Sequence, residues 1–133
     1  SGPVPDPVPT PPPIAQAPVG DGQVARALRT FDGQGRMARW PNRTAVQGLC
    51  LWALWARLPS RRDLSEAEVN EVLKAASTFG DHVLLRRSLI GYGLASRTPD
   101  GRRYRRIEMT PPPEARALIA HTRQNADAWD GRG

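Results

Sequence analysis

The spacing of apolar residues changes character twice between Leu64 and Ile107. After Ser65-Glu66-Ala67-Glu68, whose S-x-x-E order is that of a capping box, Val69, Val72, Leu73 and Ala76 recur at helical intervals, so a helix is predicted to start at this serine. Gly80 closes that helix, and Asp81 is placed to cap a second one running from His82 to about Tyr92, with Gly93 ending it. Two short extended runs, 94–97 and 102–107, then flank Thr98-Pro99-Asp100-Gly101, a turn with Pro second and Gly last. Helix, tight turn, helix and hairpin follow one another in the order of a winged helix-turn-helix, whose usual work is to bind nucleic acid.

Upstream, Val46, Leu49, Cys50, Leu51, Trp52, Leu54, Trp55 and Leu58 leave a helix over 44–58 with almost no polar side, capped by Asn42 after Pro41 and stopped by Pro59. A helix apolar all round must be covered all round. One face can pack on the two later helices. The other is left to a short amphipathic helix over 23–31 (Val24, Ala27, Leu28, Phe31), to a last helix from Glu114 to about Ala128, or to a second subunit. That last helix carries a thin stripe of Ala115, Leu118, Ile119 and Thr122, with Trp129 as its anchor. Trp52 and Trp55 exceed what so small a core commonly needs, which makes them candidates for a dimer interface. The expected division is a disordered Pro-rich lead over 1–22, a winged-helix domain over 23–109, and a C-terminal helix with a frayed tail over 110–133. The fold class is mainly α with a small β-hairpin.

Composition alters this picture less than the placement of charge does. The net charge is +6, and the 19 basic residues are 18 Arg and one Lys, a skew that codon composition can produce by itself. Location is therefore more informative than number. Arg97, Arg102, Arg103, Arg105 and Arg106 crowd the hairpin against Asp100, and with Tyr104 turned inward the pleat sends Arg103 and Arg105 to the opposite face. On the second helix, Leu85, Leu89, Tyr92 and His82 share one side, and the other presents Val83, Leu84, Arg87 and Gly91. Base-edge readers usually offer paired hydrogen-bonding groups, so this face suits backbone contact better than sequence readout. Arg61-Arg62 adds a basic pair just before the capping box. Four engaged arginines would give log affinity a slope of about −4 against log salt.

Candidate chemistry is sparse. Cys50 is the only cysteine, which excludes an intrachain disulfide and a cysteine metal cluster, and its apolar helix makes it a small buried hydrophobe. His82 and His121 stand far apart with no carboxylate pair at ligand spacing. Gly33-Gln34-Gly35 lacks the third glycine, the lysine and the preceding strand of a phosphate loop, and reads as a turn into a short strand over 37–40. The expectation is no enzyme, no metal and no cofactor. No apolar run reaches membrane-spanning length and nothing resembles a signal peptide, so a bacterial cytoplasmic, nucleoid-associated protein is expected, with no membrane partner.

Several segments fall in one order: Phe31-Asp32-Gly33-Gln34-Gly35-Arg36 with Pro41, the run from Leu64 through Leu73, then Asp81, Leu85-Arg86-Arg87-Ser88-Leu89-Ile90, Gly93-Leu94, Arg97 and Tyr104. On these pieces the stretch from about Phe31 to Arg106 resembles a bacterial domain-of-unknown-function family, found alone and appended to ArsR-type transcriptional regulators. The resemblance implies a winged-helix-like domain in a transcriptional setting and brings no enzyme chemistry. This chain departs at Leu64, where the family often has an aromatic, and in its Pro-rich lead and last helix, which the resemblance does not cover. In that light Asn70 and Arg86 read as structural, with Arg86 paired to Glu66 or Glu71.

The leading expectation is binding of double-stranded DNA, related to transcription, with Arg61, Arg62, Arg87, Arg97, Arg102, Arg103, Arg105 and Arg106 on duplex phosphates. The alternative is a winged-helix interaction or dimerisation module with little affinity for DNA, in which Trp52, Trp55, Val83 and Leu84 meet a second copy or another protein. Single-stranded nucleic acid suits the chain less well, because exposed aromatics for stacking are scarce.

Overall fold

The computed structural model describes residues 21–130, so most of the Pro-rich lead and the last three residues lie outside the described residues. In chain order the elements are α1 (Asp21–Leu28), α2 (Thr44–Trp55), β1 (Leu64–Ser65), α3 (Glu66–Ala75), α4 (His82–Gly91), β2 (Ala95–Arg97), β3 (Arg103–Arg106) and α5 (Pro113–Asp130). The described residues are mainly helical, with one small antiparallel sheet in the order β1-β3-β2.

Everything packs around α2. It buries every residue from Gly48 to Trp55, and α1, α4 and α5 of the same chain lie against it. Trp52 is fully buried and meets Trp55 edge to face, ring centroids 5.0 Å apart at 78°. The Trp55 indole donates to the Ile107 carbonyl at 2.8 Å, tying the end of α2 to the strand that returns past it. Both tryptophans are thus covered in cis, and neither offers surface to a partner. That corrects their assignment to a dimer interface: two amphipathic helices outside the hairpin region supply the cover a second subunit would otherwise have given. α5 does so through Ala115, Leu118 and Thr122, whereas Trp129 is 50% exposed and anchors nothing.

Local chemistry sets the helix ends. The Ser65 hydroxyl accepts from the Glu68 amide at 3.1 Å while the Glu68 carboxylate accepts from the Ser65 amide at 3.2 Å, so the capping box is complete. The Asp81 carboxylate accepts from the Leu84 amide at 3.1 Å and starts α4. Asn42 does not cap α2; Arg43 holds that position in an extended conformation with no side-chain bond. α3 ends at Ala75 rather than near Gly80, because Met37 threads alongside the following residues. Its amide donates to the Ala76 carbonyl, and its own carbonyl accepts from the Thr78 amide, both at 2.8 Å. The strand expected over 37–40 is thereby reduced to single bridges from Met37 to Phe31 and Ser77.

The sheet register is Leu64↔Tyr104 and Ser65↔Arg103 on one side of β3, and Ala95↔Arg106, Ser96↔Arg105 and Arg97↔Tyr104 on the other. Thr98 to Gly101 closes the hairpin as expected, with the Gly101 amide donating to the Thr98 carbonyl at 2.9 Å and Gly101 at φ +70°.

Gly35 clasps the C-terminal helix to the rest. It sits at φ +76°, and a Cβ there would collide with the Thr122 carbonyl of α5. Arg57, beyond the end of α2, donates to the Gly35 carbonyl at 2.9 Å. Asp32 shapes the same turn: burial pushes its carboxyl up, but the amides of Arg36 and Gln34 and the Arg36 guanidinium outweigh burial and hold it below its ordinary value. Gly35→Ala combines left-handed strain with a backbone collision and is expected to destabilise the protein by about 3 kcal/mol or more, read as a fall in denaturation midpoint. A change within about 0.5 kcal/mol would show that α5 does not seat on this loop.

Candidate nucleic-acid interface

Leu85 and Leu89 are buried, and this fixes the rotation of α4. Val83, Arg86, Arg87, Ile90 and Gly91 consequently look outward, toward the hairpin. Cross-strand partners share a face, so Arg97 stands beside Tyr104 on the side of the sheet that meets α4. Helix and hairpin enclose a cleft of about 530 Å³ lined by Val83, Arg86, Arg87, Ile90, Gly91, Arg97 and Tyr104. Three guanidiniums line it and no carboxylate does.

These arginines are not equivalent. Arg86 is 15% exposed, donates to the Asn70 carboxamide at 2.6 Å, lies 3.5 Å from the Glu66 carboxylate, and sits 6.0 Å from the Tyr104 ring centre. The structural role expected of Arg86 and Asn70 is what the geometry shows, and Glu66 rather than Glu71 is the acidic partner. Arg87 and Arg97 are exposed and make no side-chain hydrogen bond or ion pair among the described residues. Val83 is 40% exposed at the cleft, while Leu84 beside it is half-buried.

The remaining arginines of the expected interface go elsewhere, and the structure corrects the idea of a single cationic set. Arg103 and Arg105 project from the opposite face of β3 and share Asp63, at 3.5 and 3.2 Å. Arg62 pairs with Glu68 at 3.0 Å, and Arg61 lies in the α2–β1 loop at φ +59°. Arg102 is exposed just after the hairpin turn, where its amide donates to Asp100. Arg106 is removed from the interface altogether. Its side chain is 14% exposed, its guanidinium stacks 4.0 Å from the Trp55 ring centre, and it donates to Glu108 at 2.6 Å. It also reaches the Trp55 and Leu58 carbonyls at 3.3 and 3.4 Å, so it serves as a cationic cap on the C-terminal end of α2.

The physical reason for this sorting is the period of two along β3, which sends Tyr104 and Arg106 one way and Arg103 and Arg105 the other. Asp63, some forty residues away in sequence, takes Arg103 and Arg105, while nearby Glu108 takes Arg106. Ile90 is a cleft residue that the helical wheel does not single out, although it follows Val83 by seven residues and is readable on the same face; Tyr104, expected to turn inward, lines the cleft wall as well. Among the described residues no group of three or more His, Cys, Asp or Glu can hold a metal ion. Burial pushes the Cys50 thiol up to about 12, only partly offset by its hydrogen bond with Thr30, so it is protonated at neutral pH.

Arg106→Ala is expected to cost about 2 kcal/mol of stability, through lost stacking and orphaned carbonyls, whereas Arg103→Ala and Arg105→Ala stay within about 0.5 kcal/mol. Equal effects for the three in chemical denaturation would contradict the division. Glu108 adds a pH dependence. The Arg106 hydrogen bond, outweighing burial, holds its carboxyl below the ordinary glutamate value. A depressed folded pKa means stabilisation present above the unfolded value, about 4.3, and lost as pH falls through the folded one. Glu108→Gln should therefore flatten the acid limb of midpoint against pH; an unchanged limb would show that the pair contributes nothing there.

With this geometry in place, comparison with known proteins adds one finding. No curated protein and no solved structure gives a significant match. No helix among the described residues is long and apolar enough to cross a membrane. A family model does match, over residues 36–106, a span running from the clasp loop to the last residue of β3 and holding the whole cleft. The chain belongs to the family described as an uncharacterized protein conserved in bacteria (DUF2087).

Proposed function

We propose that residues 36–106 form a winged helix-turn-helix and that the protein binds double-stranded DNA through the α4 face and the hairpin. The order helix, strand, helix, helix and hairpin supports the fold, with β1 completing a three-stranded sheet beside the hairpin. One observation supports the function: α4 and β2 bring Arg87 and Arg97, neither with a carboxylate partner among the described residues, into a cleft whose described lining includes no carboxylate. Unpaired guanidiniums held side by side repel, and a polyanion relieves that repulsion. Arg102, exposed just after the hairpin turn, adds a further cation outside the cleft. Arg103 and Arg105 divide one exposed carboxylate between them; such pairs are worth little, so phosphate can displace Asp63. Location with the nucleoid, in a transcriptional setting such as that of ArsR-type regulators, accords with this reading and with the family resemblance.

Val83 favours a second reading. An aliphatic side chain 40% exposed between arginines suits a protein partner or a second copy as well as a thymine methyl. With Trp52 and Trp55 enclosed, Val83 and half-buried Leu84 are what remains of the interface expected for that module.

A duplex titration at several salt concentrations separates the two. Arg87, Arg97 and Arg102 on phosphates predict a slope of log affinity against log salt of about −3, and the Arg87→Ala, Arg97→Ala double variant should flatten it by about 2 on any sequence. Undetectable or salt-insensitive binding would contradict the DNA reading and leave the interaction module, for which sedimentation of the free protein reads the oligomer.

A further inference from the structure

We infer that the cleft between α4 and the hairpin is also a site for a small organic anion with an apolar body, of the aromatic carboxylate class. Duplex phosphates need a cationic rim and give no reason for an apolar floor. Here Val83, Ile90 and the Tyr104 ring lie among the guanidiniums of Arg86, Arg87 and Arg97. At about 530 Å³ the space falls within the range of roughly 300–1,000 Å³ usual for small-ligand pockets. Its polar groups are cations, which fit a carboxylate in a forked geometry and also stack on aromatic rings. Arg86 is fixed in advance by Asn70 and Glu66, so one guanidinium is already ordered beside Tyr104.

Gly91 supplies an independent observation. It ends α4 on the cleft side, its φ lies outside the left-handed region, and a Cβ built on it meets nothing within 4 Å. Neither backbone conformation nor close packing requires glycine there, and glycine is the poorest helix former after proline. The missing side chain leaves open space beside the cleft that Gly91 lines. An aromatic ring placed against Val83, Ile90 and Tyr104 has its carboxylate within reach of Arg87 and Arg97, whose guanidiniums have no hydrogen-bond or ion-pair partner among the described residues. Occupancy takes both from any phosphate, so ligand and DNA exclude one another; that consequence rests on the DNA reading, whereas the binding itself does not.

The test is calorimetric titration of 1-naphthoate into the full 133-residue chain, with no DNA present. The expected result is saturable binding at one site, weakened at least tenfold by Arg97→Glu and by Gly91→Leu. Gly91→Leu adds bulk beside the cleft where a Cβ meets nothing within 4 Å, and a denaturation midpoint at or above that of the parent shows that its loss of binding is not a loss of fold. Inorganic phosphate, which has the charge without the ring, should bind at least tenfold more weakly. Absence of saturable binding, binding indifferent to both substitutions, or phosphate binding as tight as naphthoate overturns the inference. The duplex titration stays a separate readout: naphthoate binding without DNA binding supports the site and removes the DNA reading, and DNA binding without naphthoate binding does the opposite.

Discussion

The constraint on which the rest of this molecule depends is the burial of α2 on every side. A helix that reads Val46, Leu49, Leu51, Trp52, Leu54 and Trp55 with scarcely a polar break has no face it can leave in water. α4 takes one flank, and taking it fixes which of its own residues turn outward. α1 and α5 take the others, outside the family's matched span, and the Gly35 loop and Arg57 hold α5 in place. Even the end of α2 is part of the arrangement, since its last carbonyls are met by Arg106 and the Trp55 indole by the Ile107 carbonyl. The cleft is a by-product of this packing. Rotation of α4 and the pleat of β3 place Arg87 and Arg97 together because Leu85, Leu89 and Tyr104 are committed to the interior.

Features governed by neighbours three or four residues apart were legible in the sequence. The Ser65–Glu68 box, the Asp81 cap and the Thr98–Gly101 turn each depend on a local geometry that residue type alone prescribes. The buried and outward faces of α4 were legible for the same reason. β1 was not, since two residues cannot display a period of two, and its pairing partner lies about forty positions away. The shortening of α3 was equally hidden: it follows from Met37 arriving from a distant loop to compete for backbone groups.

Charge shows the same boundary. A list of arginines near the hairpin does not reveal that Arg106 stacks on a tryptophan fifty-one positions earlier, or that Asp63 stands between Arg103 and Arg105. Nor could the pattern decide how Trp52 and Trp55 are covered, because an amphipathic stripe on α1 or α5 serves equally well from the same chain or from a second one. The partition of the arginines among cleft, opposite sheet face and core is a property of the tertiary structure.

The central proposal is that Arg87 and Arg97 act as a pair on one anionic partner while Arg106 stays inside. Nitrogen–proton correlation spectra of the arginine side chains, recorded during addition of a short mixed-sequence duplex, address this residue by residue. The Nε resonances of Arg87 and Arg97 should shift together along one saturation curve, with that of Arg106 unmoved. A shift of Arg106, or still resonances for Arg87 and Arg97 while the duplex binds elsewhere, would contradict the account.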